Sequence, residues 1–184
     1  MSKPLPTVPQ KDDARFLEFC EFLRQAPVRP AARLVHCSYE DHLSVLEVPV
    51  VPQPNCEISY CWFNCLDLQH LHGGEVVYGW SLWLDRDAYV GQHHAVWRSE
   101  KGELLDPTPN EGFAEKALFM PDGRAPFDIL ELRAPSSLYW WASGKYEWFF
   151  GHVRSQSFFI GRMDPKADQE ARVDCTRQRY LDLA

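Results

Sequence analysis

Apolar positions along this chain recur with two periods, and the switches between them mark its elements. In DDARFLEFCEFLRQA, residues 12–26, Phe16, Phe19, Cys20 and Leu23 fall at helical spacing. Two aspartates stand at the end where acidic groups complement the helix dipole, and Pro27 stops the run. ARLVHCSY (32–39) and LSVLEVPVV (43–51) read as short strands, the second closing at the proline-rich loop 51–55. YCWFNCLDLQHLHGG, residues 60–74, returns to the helical period. Cys61, Cys65, Leu68 and His72 share one face, Trp62, Leu66 and Gln69 form the neighbouring stripe, and Gly73-Gly74 ends the element.

The next two runs, residues 75–85 and 88–99, are rich in β-branched and aromatic residues and read as strands. Residues 100–103, EKGE, supply a turn that brings LLD (104–106) back alongside, and the PTP at 107–109 ends that strand. Downstream, KALFM (116–120) and FDILEL (127–132) are expected to be strands. Residues 136–152 fit helix or strand, and SQSFFIGR (155–162) fits a strand. Residues 166–183 fit a helix with Ala171, Cys175 and Leu181 inward. The fold class expected from this order is α+β.

Composition narrows the function classes. At 184 residues, with 45% hydrophobic and 24% charged positions, the chain reads as one globular domain over 11–184 behind a loose tail, residues 1–10, that holds three prolines. A net charge of -7 leaves no basic stripe for phosphates, so no nucleic-acid partner is expected. No apolar run is long enough to span a membrane. The opening residues carry no hydrophobic leader, which makes the reducing cytoplasm the expected setting and leaves six cysteines to be explained as thiols.

One trio of residues suggests chemistry. A cysteine is a useful nucleophile only where its thiolate is populated, and a helix N-terminus and a nearby imidazole both favour that. Cys61 stands in the opening turn of the 60–74 helix. His94 follows 33 residues later on the second strand after it, and Asp106 comes 12 residues beyond, where the hairpin returns the chain alongside. A carboxylate there can hold the distal ring nitrogen of the imidazole. His93 and His94 point to opposite faces of their strand. His94 is the expected base because Val96 would share its inward face, and His93 is expected toward solvent or behind the site.

The segments CWFNC (61–65) and HHAVWRSEKGELLDPTP (93–109) resemble the nucleophile helix and the His strand, turn and Asp strand of papain-like and transglutaminase-like cysteine enzymes. The Cys-His-Asp intervals are also similar to those of arylamine N-acetyltransferases. The likeness covers about residues 55 to 110. It implies a papain-like core, a helix carrying Cys61 packed on an antiparallel sheet, and thiol-mediated acyl transfer at an amide or ester. No cofactor is expected, because nothing in the chain advertises a site for a large acyl carrier, and the acidic net charge suggests a neutral or basic protein or peptide as the substrate partner. The Gly-rich residues that precede the cysteine in several of these families are missing, and so is a clear glutamine placed to complete the oxyanion hole. Gln53 and Asn55, with the Cys61 backbone N–H, are the oxyanion candidates, and Asn64 and Trp80 are candidates for substrate contact.

Two other readings compete. Cys56, Cys61, Cys65, His70, His72, His93 and His94 offer zinc ligands in number, although no C-x-x-C and no H-E-x-x-H is present. A binding or inhibitor protein that keeps the fold without the chemistry is the other. For Cys56 and Cys65 a place as small core residues is expected, and for His70 and His72 a place on the helix surface. No glycine-rich phosphate cradle is found.

Overall fold

The computed structural model describes residues 4–28, 44–110, 112, 114–124 and 126–182. In chain order the elements are α1 (Ala14–Gln25), β1 (Leu46–Pro49), α2 (Cys61–His72), β2 (Glu75–Asp85), β3 (Ala88–Arg98), β4 (Leu104–Leu105), β5 (Lys116–Pro121), β6 (Arg133–Pro135), β7 (Ser137–Trp141), β8 (Tyr146–Phe150), β9 (Val153–Ser155), β10 (Ile160–Arg162) and α3 (Glu170–Leu181). The chain is α+β. Its main sheet runs β1-β5-β2-β3-β7-β8-β9 with β4 on β3, every pairing antiparallel, and β6 and β10 form a separate pair.

The β2–β3 hairpin is the backbone of this sheet, paired without a break from Glu75↔Arg98 to Asp85↔Ala88. Strand alternation sorts its residues. Trp80 and Leu82, with Tyr89, turn toward α1 and join Phe16, Phe19, Cys20 and Leu23 in one core cluster. Val76 and Tyr78, with Ala95, turn toward α2 and pack with Cys61, Phe63 and Cys65 in a second. Both helices therefore lie on one face. A Cβ at Gly91 would stand 3.0 Å from Leu23 Cδ2, so the bare backbone there lets α1 approach the sheet. On the opposite face Val77, Val96 and Phe119 pack with Val48 of β1.

Several expectations need correction. FDILEL is not a strand: Asp128 Oδ1 accepts the N–H groups of Leu130 and Glu131 at 3.0 Å each, which winds 129–132 into turns, and the strand begins at Arg133. Residues 136–152 resolve as the β7–β8 hairpin, and of 155–162 only the two ends belong to strands. In α3 the inward residues are Val173 and Thr176, while Ala171, Cys175 and Leu181 are exposed. This helix is held to α2 mainly by polar contacts, Arg172 and Arg179 on Asp67 at 2.9 and 3.2 Å and Tyr180 on Gln69 at 2.9 Å, so an apolar stripe misjudges its buried face. The described part of the expected tail is tied down. Thr7 exchanges two backbone hydrogen bonds with Leu84 (3.0 and 2.8 Å), and Pro9 is buried. The strand expected over 32–39 lies outside the described residues. None of the described helices is long and apolar enough to cross a membrane.

Candidate active site

Strand β3 has partners on its outer edge at both ends. It pairs with β7 through Ala88–Gly91 and with β4 through Trp97 and Arg98. Among the described residues no strand covers that edge over 92–96. The Ser137 hydroxyl closes the first gap by accepting the His93 N–H at 2.8 Å. The start of α2 comes up to this notch, with Trp62 5.6 Å from the His93 ring. Both backbone and side chains of one short stretch of strand therefore meet the opening turn of a helix.

Asp106 reaches the same place through the hairpin. Trp97 faces Leu105, so the next residue, Asp106, falls diagonal to His94 on the same face. The segment is stitched to the loop that leads into α2: Asp106 N–H donates to Pro49 O, Val51 N–H to Asp106 O and Gln53 N–H to Pro107 O, at 2.9, 2.9 and 3.2 Å. Asn64 locks the arrangement. Its amide donates to Glu57 O (2.9 Å) and Thr108 Oγ1 (3.0 Å), and its oxygen accepts Glu57 N–H (3.1 Å) and Arg172 Nη2 (2.9 Å). All four of its hydrogen-bonding positions are used.

His94 Nε2 donates to Asp106 Oδ2 at 2.7 Å, while Asp106 Oδ1 accepts the Thr108 N–H at 2.9 Å. A carboxylate at Nε2 keeps the proton on that nitrogen and leaves Nδ1 as the basic site of the ring, and Cys61 lies close enough to the ring to raise its basicity. Burial disfavours the imidazolium. The charges of Asp106 and Cys61 and the hydrogen bonds to both outweigh burial, so His94 holds its proton well above the usual histidine range. Gly79 stands directly across from His94. A Cβ there would strike the Met120 carbonyl and the Phe119 ring, so glycine allows Phe119 to sit edge-on 6.5 Å from the imidazole.

The three groups open onto a cleft of about 320 Å³ walled by Pro6, Ile58, Trp62, Trp83 and Pro109, which Ser81 and Gln92 also line. Cys61 is 6% exposed and lines it. Burial pushes Cys20 up to about 11, raises Cys56 and raises Cys65 well above the ordinary thiol range. All five described cysteines are free.

Cys61, His94 and Asp106, expected together from sequence, are brought together. The other four candidates are not at the cleft. Gln53 donates to Val51 O at 3.0 Å, and Asn55 is an exposed loop residue at φ 68°. Asn64 is the saturated brace just described. Trp80 is fully buried, with Nε1 donating to Asp122 Oδ2 at 2.8 Å. His93 does not face solvent: it is 4% exposed among Trp62, Tyr78 and Trp80. Gln92 and Trp83 were missed, although strand alternation pointed to Gln92, two residues from His94 on the same face. Among the described residues no three His, Cys, Asp or Glu side chains gather as a metal-ligand set, and His70 and His72 lie exposed at the far end of α2. The chain matches no protein-family model, no curated protein and no solved structure, which leaves the geometry of the site to carry its functional reading.

Proposed function

We propose that this protein is a cysteine-dependent acyl-transfer enzyme acting on an amide or ester bond, with Cys61 as nucleophile, His94 as base and then acid, and Asp106 orienting His94. The observation that carries the reading is the hydrogen-bonded His94–Asp106 pair lining the same cleft as the Cys61 thiol at the start of α2. The resemblance of residues 55–110 to papain-like and transglutaminase-like enzymes supports it, as does the arrangement of a helix-borne thiol against an antiparallel sheet.

In the first step the Cys61 thiol gives its proton to His94 Nδ1, and sulfur bonds to the carbonyl carbon. The tetrahedral adduct collapses as the amine or alcohol leaves with the proton from His94. Water then enters, His94 takes a proton from it, and the hydroxide carbon–oxygen bond replaces the thioester. The carboxylic acid departs and Cys61 regains its proton. An amine in place of water gives transfer instead of hydrolysis. Hydrolysis, as by a thiol protease, amidase or glutamine deamidase, is the simpler form because it requires no second organic substrate. The cleft, with Trp62 and Trp83 in its walls, suits a protein or peptide segment.

The test is competitive alkylation. Low concentrations of iodoacetamide are expected to label Cys61 first among the six thiols, the exposed Cys175 included, and His94→Ala is expected to remove that advantage. p-Nitrophenyl acetate is expected to give a burst of one nitrophenolate per chain. Slow, uniform labelling and no burst would overturn the assignment.

A further inference from the structure

Acyl transfer through a thiol needs donors aimed at the carbonyl oxygen as it becomes negative. The backbone supplies part of this. The first intrahelical bond of α2 runs from Asn64 N–H to Tyr60 O at 2.8 Å, and Tyr60 offers no side-chain cap. The N–H groups of Cys61, Trp62 and Phe63 therefore have no partner within the helix. A helix start alone does not make a site, so the side chain that completes it has to be identified.

The amides around the cleft can be sorted by what they already bind. Gln53 is spent on Val51 O, and Asn64 is saturated. Asn110 is closed on Ala114, donating to its carbonyl at 3.1 Å and accepting its N–H at 2.9 Å. Gln92 differs. It lines the cleft with Cys61, its side chain is exposed, and that side chain makes no hydrogen bond to another described residue. It pairs directly with Ser81 across β2 and precedes His94 by two residues. Such neighbours on a strand stand about 7 Å apart with parallel Cα–Cβ bonds. A glutamine side chain is long enough to bring its amide over the space in front of the His94 ring and the Cys61 sulfur.

Building on the acyl-transfer reading, we infer that Gln92 Nε2 is the side-chain donor of the oxyanion hole, acting with the backbone N–H groups that open α2. As the Cys61 sulfur bonds to the carbonyl carbon, the π pair moves onto oxygen and the Gln92 amide N–H receives it. The same contact returns the pair when the leaving group departs.

Two variants test this, Gln92→Ala and Gln92→Met, the second keeping length and apolar bulk while removing the donor. The single-turnover acylation rate with p-nitrophenyl acetate is expected to fall on the order of 100-fold in both. Iodoacetamide labelling of Cys61 displaces iodide at a saturated carbon and forms no oxyanion, so its rate is expected to stay at the wild-type value in both. Wild-type acylation in Gln92→Met overturns the inference and leaves the triad standing. Equal losses of labelling and acylation also overturn it, because they describe a residue that holds the site together. A wild-type protein with neither selective labelling nor a burst defeats the triad reading, and this inference with it.

Discussion

Two buried aspartates in this molecule are built almost alike. Asp106 accepts a ring N–H on Oδ2, from His94 at 2.7 Å, and the backbone N–H of Thr108 on Oδ1 at 2.9 Å. Asp122 accepts a ring N–H on Oδ2, from Trp80 at 2.8 Å, and the backbone N–H of Arg124 on Oδ1 at 3.0 Å. Each follows the end of a strand and holds its own turn. What differs is the ring and the far side of it. Trp80 cannot give up its proton at working pH, is sealed in the α1 core, and its aspartate is closed off by the Arg124 guanidinium at 2.9 Å. His94 can lose its proton, keeps its side chain 12% exposed, and faces a cleft that the Cys61 thiol also lines. The same carboxylate–ring pair is a rivet in one place and, on the function proposed above, a proton relay in the other, and only the neighbours differ.

The sharpest way to break this contrast is Cys61→Ala. It is expected to abolish the nitrophenolate burst while leaving the His94–Asp106 pair and the fold in place, as measured by stopped-flow absorbance and thermal melting. Asp106→Asn comes next. It is expected to cut the acylation rate on the order of 10³- to 10⁴-fold, because an amide can donate to Nε2 and invert the tautomer that leaves Nδ1 free. Asp122→Asn, its counterpart, is expected to leave both acylation and Cys61 labelling at wild-type rates. A slowed Asp122→Asn enzyme would erase the distinction between rivet and relay.

Stability separates the pairs in the other direction. Trp80→Phe leaves Asp122 short of one buried donor, and about 1–3 kcal/mol of unfolding free energy is expected to be lost in urea titrations. The smallest effect expected is that of pH. His94 has a folded-state pKa raised well above its unfolded value of about 6.5. Its contribution is therefore fully present below that value and disappears as pH rises through the raised pKa. The stability difference between wild type and His94→Gln is expected to shrink over that interval, whereas the difference between wild type and Trp80→Phe is expected to stay flat.

Much of this was legible in the chain. The periodicity of 75–99 located β2 and β3 closely, and Phe16, Phe19, Cys20 and Leu23 named the buried face of α1 because an apolar stripe at helical spacing has one place to go. Polar contacts hid the rest. α3 buries its face through Arg172, Thr176 and Arg179 on Asp67, which leaves no apolar stripe to read. FDILEL looks like a strand until the Asp128 carboxylate captures two backbone N–H groups and bends it.

The candidate site divides along the same line. The order of a thiol at a helix start, a histidine on a strand and an aspartate past a hairpin turn was set by the sequence, because local periodicity and turn chemistry fix where each of those residues sits on its own element. Which amides and rings face the cleft was decided only in three dimensions. Asn64 and Trp80 are drawn away by partners 44 and 42 residues distant, and Gln92 is left uncommitted beside His94. A side chain's hydrogen-bonding capacity is spent on whatever the fold brings within 3 Å, and pairings between distant segments leave no period in the sequence.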